Sequence, residues 1–174
     1  QIENLNILNF SSQNLLSLVN DILDYSKMEA GKVKLDSTPF GLNDFIQSTY
    51  FAFVPIAREN NVDFNVSYQG DTEIFIEGDP ARLGQIINNL ISNAIKFSPL
   101  KSVDFMVRLY SNEILEIIVK DTGVGIPSHH LPNLFHQFSQ ADASISRKFG
   151  GTGLGLAITY GLVKLLKGSI DVVS

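Results

Sequence analysis

Asp79-Pro-Ala-Arg-Leu-Gly-Gln-Ile-Ile-Asn-Asn-Leu-Ile-Ser-Asn-Ala-Ile-Lys-Phe97, followed after two strand-like runs by Asp121-Thr-Gly-Val-Gly-Ile-Pro127, carries most of the information in this chain. Asp79 with Pro80 opens a helix, the carboxylate at the cap and the proline in the first turn, where its missing N–H loses no bond. The spacing predicts helix to Phe97, with Ile86, Ile87, Leu90, Ile91 and Ala94 packing on a sheet. Asn89 and Asn93 share a face, and Lys96 lies one turn beyond Asn93. Two neutral carboxamide oxygens can help fix magnesium, a hard cation bound largely through phosphates, without repelling those phosphates. A lysine reaches phosphate as a point charge. Taken alone, the helix also fits two asparagines in ordinary surface hydrogen bonds.

Asp121 directly follows the strand-like Glu116-Ile-Ile-Val-Lys120. A carboxylate at a strand end can accept a hydrogen bond from the amino group of adenine. Gly123 and Gly125 let the backbone turn sharply and approach a flat base. As an isolated string this would more often be an ordinary turn. A second glycine-rich turn, Gly150-Gly-Thr-Gly-Leu-Gly155, precedes a helix predicted over Leu154–Leu166, whose first amides can receive phosphate. It is not a P-loop, since no Lys-Ser or Lys-Thr follows the last glycine. No strand stands before it, so it is not a dinucleotide fingerprint either. Between the turns, Leu134-Phe-His-Gln-Phe138 reads as a hydrophobic anchor in a mobile cover, with Arg147 and Lys148 able to reach phosphate on closure. Exposed turn residues are the alternative for that pair. His129, His130 and His136 lack the acidic neighbours of a metal site or triad and read as solvent or packing residues.

The 174 residues, 44% apolar and 18% charged, suit a globular chain with one sizeable core. A net charge of −5 without a basic run argues against a nucleic-acid partner. The absence of cysteine excludes disulfides, zinc-thiolate sites and cysteine nucleophiles. No apolar run approaches the roughly 18 residues of a spanning helix, so a soluble fragment without membrane contact is expected, cytoplasmic, with anchoring of a longer parent left open. Residues 1–30 read as one helix ended by Gly31, with Leu5, Leu8, Ser12, Leu15, Val19, Ile22 and Ser26 at alternating spacings of three and four, and Leu16 and Leu23 widening the stripe. The stripe fits an exposed seam for another helix; folding back on its own domain is the alternative.

Strands are predicted at Val33–Asp36, Val62–Tyr68, Ile74–Ile76, Val103–Leu109, Ile114–Lys120 and 169–173. A helix is expected from Leu42 to about Asn60, with Leu42, Phe45, Ile46, Thr49, Phe53 and Ile56 inward and a late break or kink at Pro55. Residues 121–152 are mostly loop. The order predicts an α+β fold, a two-layer α/β sandwich with a helical layer on a mixed sheet.

Residues 79–170 closely resemble the catalytic, ATP-binding domain of sensor histidine kinases, within the superfamily that includes type II topoisomerases, Hsp90 chaperones and mismatch-repair ATPases. Asp79-Pro-x-Arg-Leu-x-Gln85 with Asn89-x-x-x-Asn93-Ala-x-Lys-Phe97 resembles the N box, Asp121-x-Gly-x-Gly125 the first glycine box, Phe135-x-x-Phe138 the F box, and Gly151-x-Gly-x-Gly155 the second glycine box. Leu15-Leu-x-Leu-Val-Asn-Asp-Ile-Leu-Asp-Tyr-Ser-Lys-Met-Glu-Ala-Gly31 resembles the second helix of the dimerisation and histidine-phosphotransfer domain. The resemblance implies a Bergerat fold over 32–174 and a partial dimerisation domain over 1–31. It implies magnesium at Asn93 with Asn89 assisting, catalytic roles for Asn89 and Lys96, adenine at Asp121, and an ATP lid over 126–152. Further nucleotide contacts are implied at Gly123, Gly125, Ile126, Phe138, Arg147, Lys148, Gly151, Thr152, Gly153, Leu154 and Gly155.

The implied reaction moves the γ-phosphoryl of ATP to a histidine on the first dimerisation helix, then to an aspartate of a response regulator or attached receiver domain, within a homodimer built through the N-terminal helix. Two departures are expected to matter. The helix bearing the phosphoacceptor histidine is absent, and the chain stops where the family usually continues into another strand. The fragment is therefore expected to bind nucleotide more readily than it phosphorylates itself. The rivals are a degenerate nucleotide-binding regulatory module and a superfamily ATPase. In such ATPases a glutamate general base stands four residues before the metal-binding asparagine; here that position is Asn89, which disfavours hydrolysis.

Overall fold

The computed structural model describes residues 2–110, 114–136 and 153–174, with side chains of the first helix from Ser12 onward except 13, 14 and 17. In chain order the elements are α1 (Ile2–Glu29), β1 (Thr38–Gly41), α2 (Leu42–Glu59), β2 (Asp63–Gln69), β3 (Phe75–Gly78), α3 (Pro80–Phe97), β4 (Ser102–Leu109), β5 (Leu115–Asp121), a 3-10 turn at Leu131–Asn133, and α4 (Gly155–Leu165). Two compact units divide the chain: residues 1–34 with 130–170, and residues 35–129 with 171–174.

In the second unit, β4 lies between β2, which it pairs in parallel, and β5, which it pairs antiparallel. Alternation along β4 buries Val103, Phe105 and Val107 on one face. Helices α2 and α3 cover that face with Leu42, Ile46, Phe53, Ile87, Ile91 and Ile95. This is the expected mixed sheet under one helical layer. A separate antiparallel ribbon, β1 with β3, leads into α2 and α3. The first amides of α2 need no side-chain cap: the Leu42 and Asn43 N–H groups donate to the carbonyls of Ile74 and Thr72 at 2.9 and 3.0 Å.

The start of α3 follows its sequence signals. Asp79 is only 8% exposed, and its Oδ1 accepts the Arg82 N–H at 3.0 Å while Oδ2 accepts the Asp36 N–H at 3.1 Å. One carboxylate thus caps a helix and ties down the segment before β1. Burial pushes its pKa up, but the Arg82 and Asp36 N–H bonds, the Arg82 charge and the Ala81 N–H outweigh it, so the pKa lies below the ordinary 3.8. Asp79→Ala is expected to cost about 1–2 kcal/mol by urea denaturation at neutral pH. Because the folded-state pKa is depressed, this contribution is present above the unfolded pKa and disappears as pH falls through the folded one. Equal wild-type and variant stabilities at pH 7 would refute the clasp.

Four expectations about elements need correction. Residues 33–36 are not a strand; pairing begins at Thr38 because β3 ends at Gly78, its register partner. Residues 169–173 form no strand. Period-two alternation reports which side chains share a face, not whether a ladder partner is in reach, and the bond recorded here comes from a side chain, Ser174 Oγ accepting the Ile126 N–H at 2.6 Å. Ile56 is exposed, at the margin of the α2 stripe, whose last buried position is Ala57. Helix α2 is not broken at Pro55, whose ring sits on the exposed side.

In the first unit, α1 ends as expected, with Gly31 left-handed (φ +63°) and the Lys32 N–H closing on the Lys27 carbonyl at 2.9 Å. Leu15 and Leu16 are each 64% exposed, and Leu18, Val19, Ile22 and Leu23 are exposed too. The end of the helix meets α4: Tyr25, Met28 and Glu29 line a 540 Å³ cleft with Ala157, Tyr160 and Gly161. Helix α4 ends at Leu165, and the left-handed residue after it is Lys167 (φ +60°) rather than Gly168. Among the described residues no helix is long and apolar enough to cross a membrane.

Candidate functional site

Helix α3 turns Ile87, Ile91, Ala94 and Ile95 onto the sheet and leaves Asn89, Asn93 and Lys96 half-buried on its flank. The Asn93 Nδ2 donates to Asn89 Oδ1 at 3.4 Å, a bond that does not engage the Asn93 oxygen. Lys96 lies with its Nζ 5.0 Å from the Phe97 ring centroid, and burial pushes its pKa below the ordinary value.

The end of α3 is joined to the turn after β5. The Val124 N–H donates to the Phe97 carbonyl at 3.3 Å, and the Ser98 hydroxyl donates to Asp121 Oδ1 at 3.1 Å. The Gly123 N–H donates to the same oxygen at 2.8 Å, closing an Asx-turn, while Lys101 Nζ donates to the Gly123 carbonyl at 3.2 Å. Gly123 leaves no room for a side chain: a Cβ there would stand 2.5 Å from Ser98 Oγ and 2.7 Å from Asp121 Oδ1. Gly125 takes φ +70°, and Ile126 follows with its amide on Ser174. Asn89, Asn93, Lys96, Asp121, Gly123, Gly125 and Ile126 therefore all belong to one unit, with Asp121 tied to the end of the asparagine helix.

In the other unit, Gly153 (φ +70°) and buried Leu154 precede α4, which opens at Gly155. Phe135 of the expected F box stacks on Tyr160 with ring centroids 5.5 Å apart. Phe138, Arg147, Lys148, Gly151 and Thr152 lie outside the described residues. Sequence reasoning missed Ser98, which is fully buried as the cap residue of α3. A serine after the last apolar residue of a helix carries no signal of its partner, because the contact spans 23 positions.

A mixed sheet under one helical layer, with an asparagine-bearing helix stitched to an Asp-Gly turn, defines a nucleotide-handling α/β sandwich. Residues 78–174 match the family described as histidine kinase-, DNA gyrase B-, and HSP90-like ATPase; the chain belongs to that family, as a histidine-kinase catalytic domain with its ATP-binding fold. It is 42% identical over 175 residues to the signal transduction histidine-protein kinase BarA of Escherichia coli K12, covering 98% of this chain and 19% of that protein. Full-length ShkA in complex with AMPPNP superposes with a TM-score of 0.82 at 28% identity, over 97% of this chain and 35% of that one. Histidine kinase ThkA in complex with response regulator protein TrrA gives a TM-score of 0.61 at 26% identity, over 82% and 42%. The chain spans about a fifth of the length of curated relatives such as BarA, 19% of which it covers.

Proposed function

We propose that this chain is the ATP-binding catalytic part of a sensor protein-histidine kinase, and that it delivers the γ-phosphoryl of ATP to a histidine on a dimerisation helix. In that step a bond forms between phosphorus and a ring nitrogen as the bond to the β,γ-bridging oxygen breaks and ADP leaves. The observation that carries the reading is Asp121, an acceptor at a strand end fixed by donors from α3 and from its own turn. Asp121 accepts a hydrogen bond from the adenine amino group, and Gly123 and Gly125, on either side of the exposed Val124, let the backbone turn beside the base. Neutral oxygens on one flank of α3 fit a magnesium–phosphate group: Asn93 holds the ion, Asn89 assists and orients the Asn93 amide, and Lys96 reaches phosphate. Magnesium, when bound, neutralises phosphate charge. Gly153, Leu154 and Gly155, with the flanking Gly151 and Thr152, receive phosphate at the start of α4. The family resemblance assigns the ATP lid to residues 126–152 and nucleotide contacts to Phe138, Arg147 and Lys148, which lie outside the described residues.

Residues 1–31 serve as the second dimerisation helix and 32–174 as the catalytic domain. The exposed row Leu15, Leu16, Val19, Ile22 and Leu23 supports homodimer formation through α1. ThkA was solved with a response regulator, which supports relay to a response regulator or receiver domain here. Calorimetry with MgATP tests the site. Asp121→Asn is expected to weaken binding about tenfold or more, since a bond to a charged acceptor contributes about 1.5–3 kcal/mol. Asn93→Ala is expected to remove most of the magnesium dependence. Unchanged affinity in the first variant, or unchanged magnesium dependence in the second, refutes that assignment. Transfer of label from γ-labelled ATP to a supplied histidine-bearing dimerisation helix tests the reaction; tight MgATP binding without transfer favours a regulatory module, and ADP release without transfer an ATPase.

A further inference from the structure

An aspartate at the end of a strand has a fixed backbone but a side chain free to swing, because its terminal torsion is broad. Asp121 departs from this. Its backbone is held by pairing with Val103 across the β4–β5 ladder, and its Oδ1 is held by two donors at 3.1 and 2.8 Å, the Ser98 hydroxyl and the Gly123 N–H. The Ser98 donor comes from a different element, is fully buried, and is itself anchored by its N–H to the Ile95 carbonyl at 3.3 Å. Two donors on one oxygen fix the plane of the carboxylate and leave the outward presentation to Oδ2.

We infer that Ser98 is the positioning residue for base recognition: by engaging Asp121 Oδ1 it presents Oδ2 to the purine amino group and so sets the preference for an amino-bearing base. This rests on the reading of Asp121 as the adenine acceptor. The physical ground is preorganisation. With Ser98 in place the carboxylate is ordered before the nucleotide arrives; without its hydroxyl the plane is held by the Gly123 amide alone, and ordering it detracts from binding. Only a ligand that uses Oδ2 feels the difference.

The test compares ATP with purine riboside 5′-triphosphate, which lacks the 6-amino group, by calorimetry in magnesium, for the wild type, Ser98→Ala and Ser98→Cys. Wild type is expected to prefer ATP. Ser98→Ala should weaken ATP about five- to tenfold, the scale of one hydrogen bond to a charged acceptor, and leave the analogue unchanged, so that the preference collapses. Ser98→Cys keeps the volume but donates weakly, and should lose most of the preference while staying folded. Equal weakening of both nucleotides would make Ser98 a support of the turn and overturn the inference, as would unchanged ATP affinity in both variants. A wild type that binds both nucleotides equally overturns the adenine reading of Asp121 itself, a result recognisable before any Ser98 variant is made.

Discussion

Gly123→Ala is expected to abolish measurable nucleotide binding, weakening MgATP by about a hundredfold or more, and to cost about 2–3 kcal/mol of stability. The added methyl would meet the Phe97 carbonyl, Ser98 Oγ and Asp121 Oδ1 at once, the latter two at 2.5 and 2.7 Å. None of these is the end of a flexible chain. The carbonyl is backbone at the C-terminal end of α3, Ser98 is fully buried, and Asp121 Oδ1 is held by two hydrogen bonds. Relief therefore requires the turn to leave α3, which breaks the Val124-to-Phe97, Lys101-to-Gly123 and Ser98-to-Asp121 bonds together. Binding is hit harder than folding because the acceptor and the backbone wall move as one. Gly84→Ala is the control: it lies on α3 itself, its nearest neighbour is the Phe45 ring at 3.9 Å, and it should stabilise by up to about 1 kcal/mol with binding intact. A Gly123→Ala protein that binds MgATP within about twofold of wild type would mean that the turn is not docked in solution.

Helix α3 and strands β4 and β5 were legible because each carries a local signal that agrees with its surroundings. Asp79-Pro80 marks a start, the isoleucines recur at helical spacing, and Val103, Phe105 and Val107 alternate. The side chains whose chemistry is local, the asparagines and lysine of α3 and the carboxylate after β5, could be picked out for the same reason. What failed depended on distant partners. Val33–Asp36 has strand-like side chains, but β3 pairs only from Thr38. Residues 169–173 alternate without a ladder. The helix predicted over Leu154–Leu166 runs from Gly155 to Leu165, and Lys167 rather than a glycine takes the left-handed region after it. Ser98 was illegible because its role comes from meeting Asp121 across an intervening strand pair, which no local pattern records.

Phe105→Ala should cause the largest loss of stability, about 3–5 kcal/mol in urea denaturation. Phe105 is fully buried on the central strand, opposite Val66 of β2 and Val119 of β5 in register, and it belongs to the cluster that seats α2 and α3. Truncation removes a large apolar volume that cannot be refilled, because the neighbouring strands are fixed by their ladders and the helices above by each other. An unchanged denaturant slope with a lowered midpoint would identify the effect as lost stability rather than a changed unfolded state. A loss below about 1 kcal/mol would mean that the helical layer does not close on β4. The nucleotide separates this variant from Gly123→Ala. Phe105 contributes no atom to the asparagine flank or to the Asp121 turn, so the folded fraction should keep its affinity, and saturating MgATP should raise the midpoint by the same free energy as in the wild type. In Gly123→Ala the nucleotide should raise it by nothing. The two substitutions thus divide the chain's physics between a core that sets whether α3 is held on the sheet and a turn that sets whether the end of α3 can be read by a ligand.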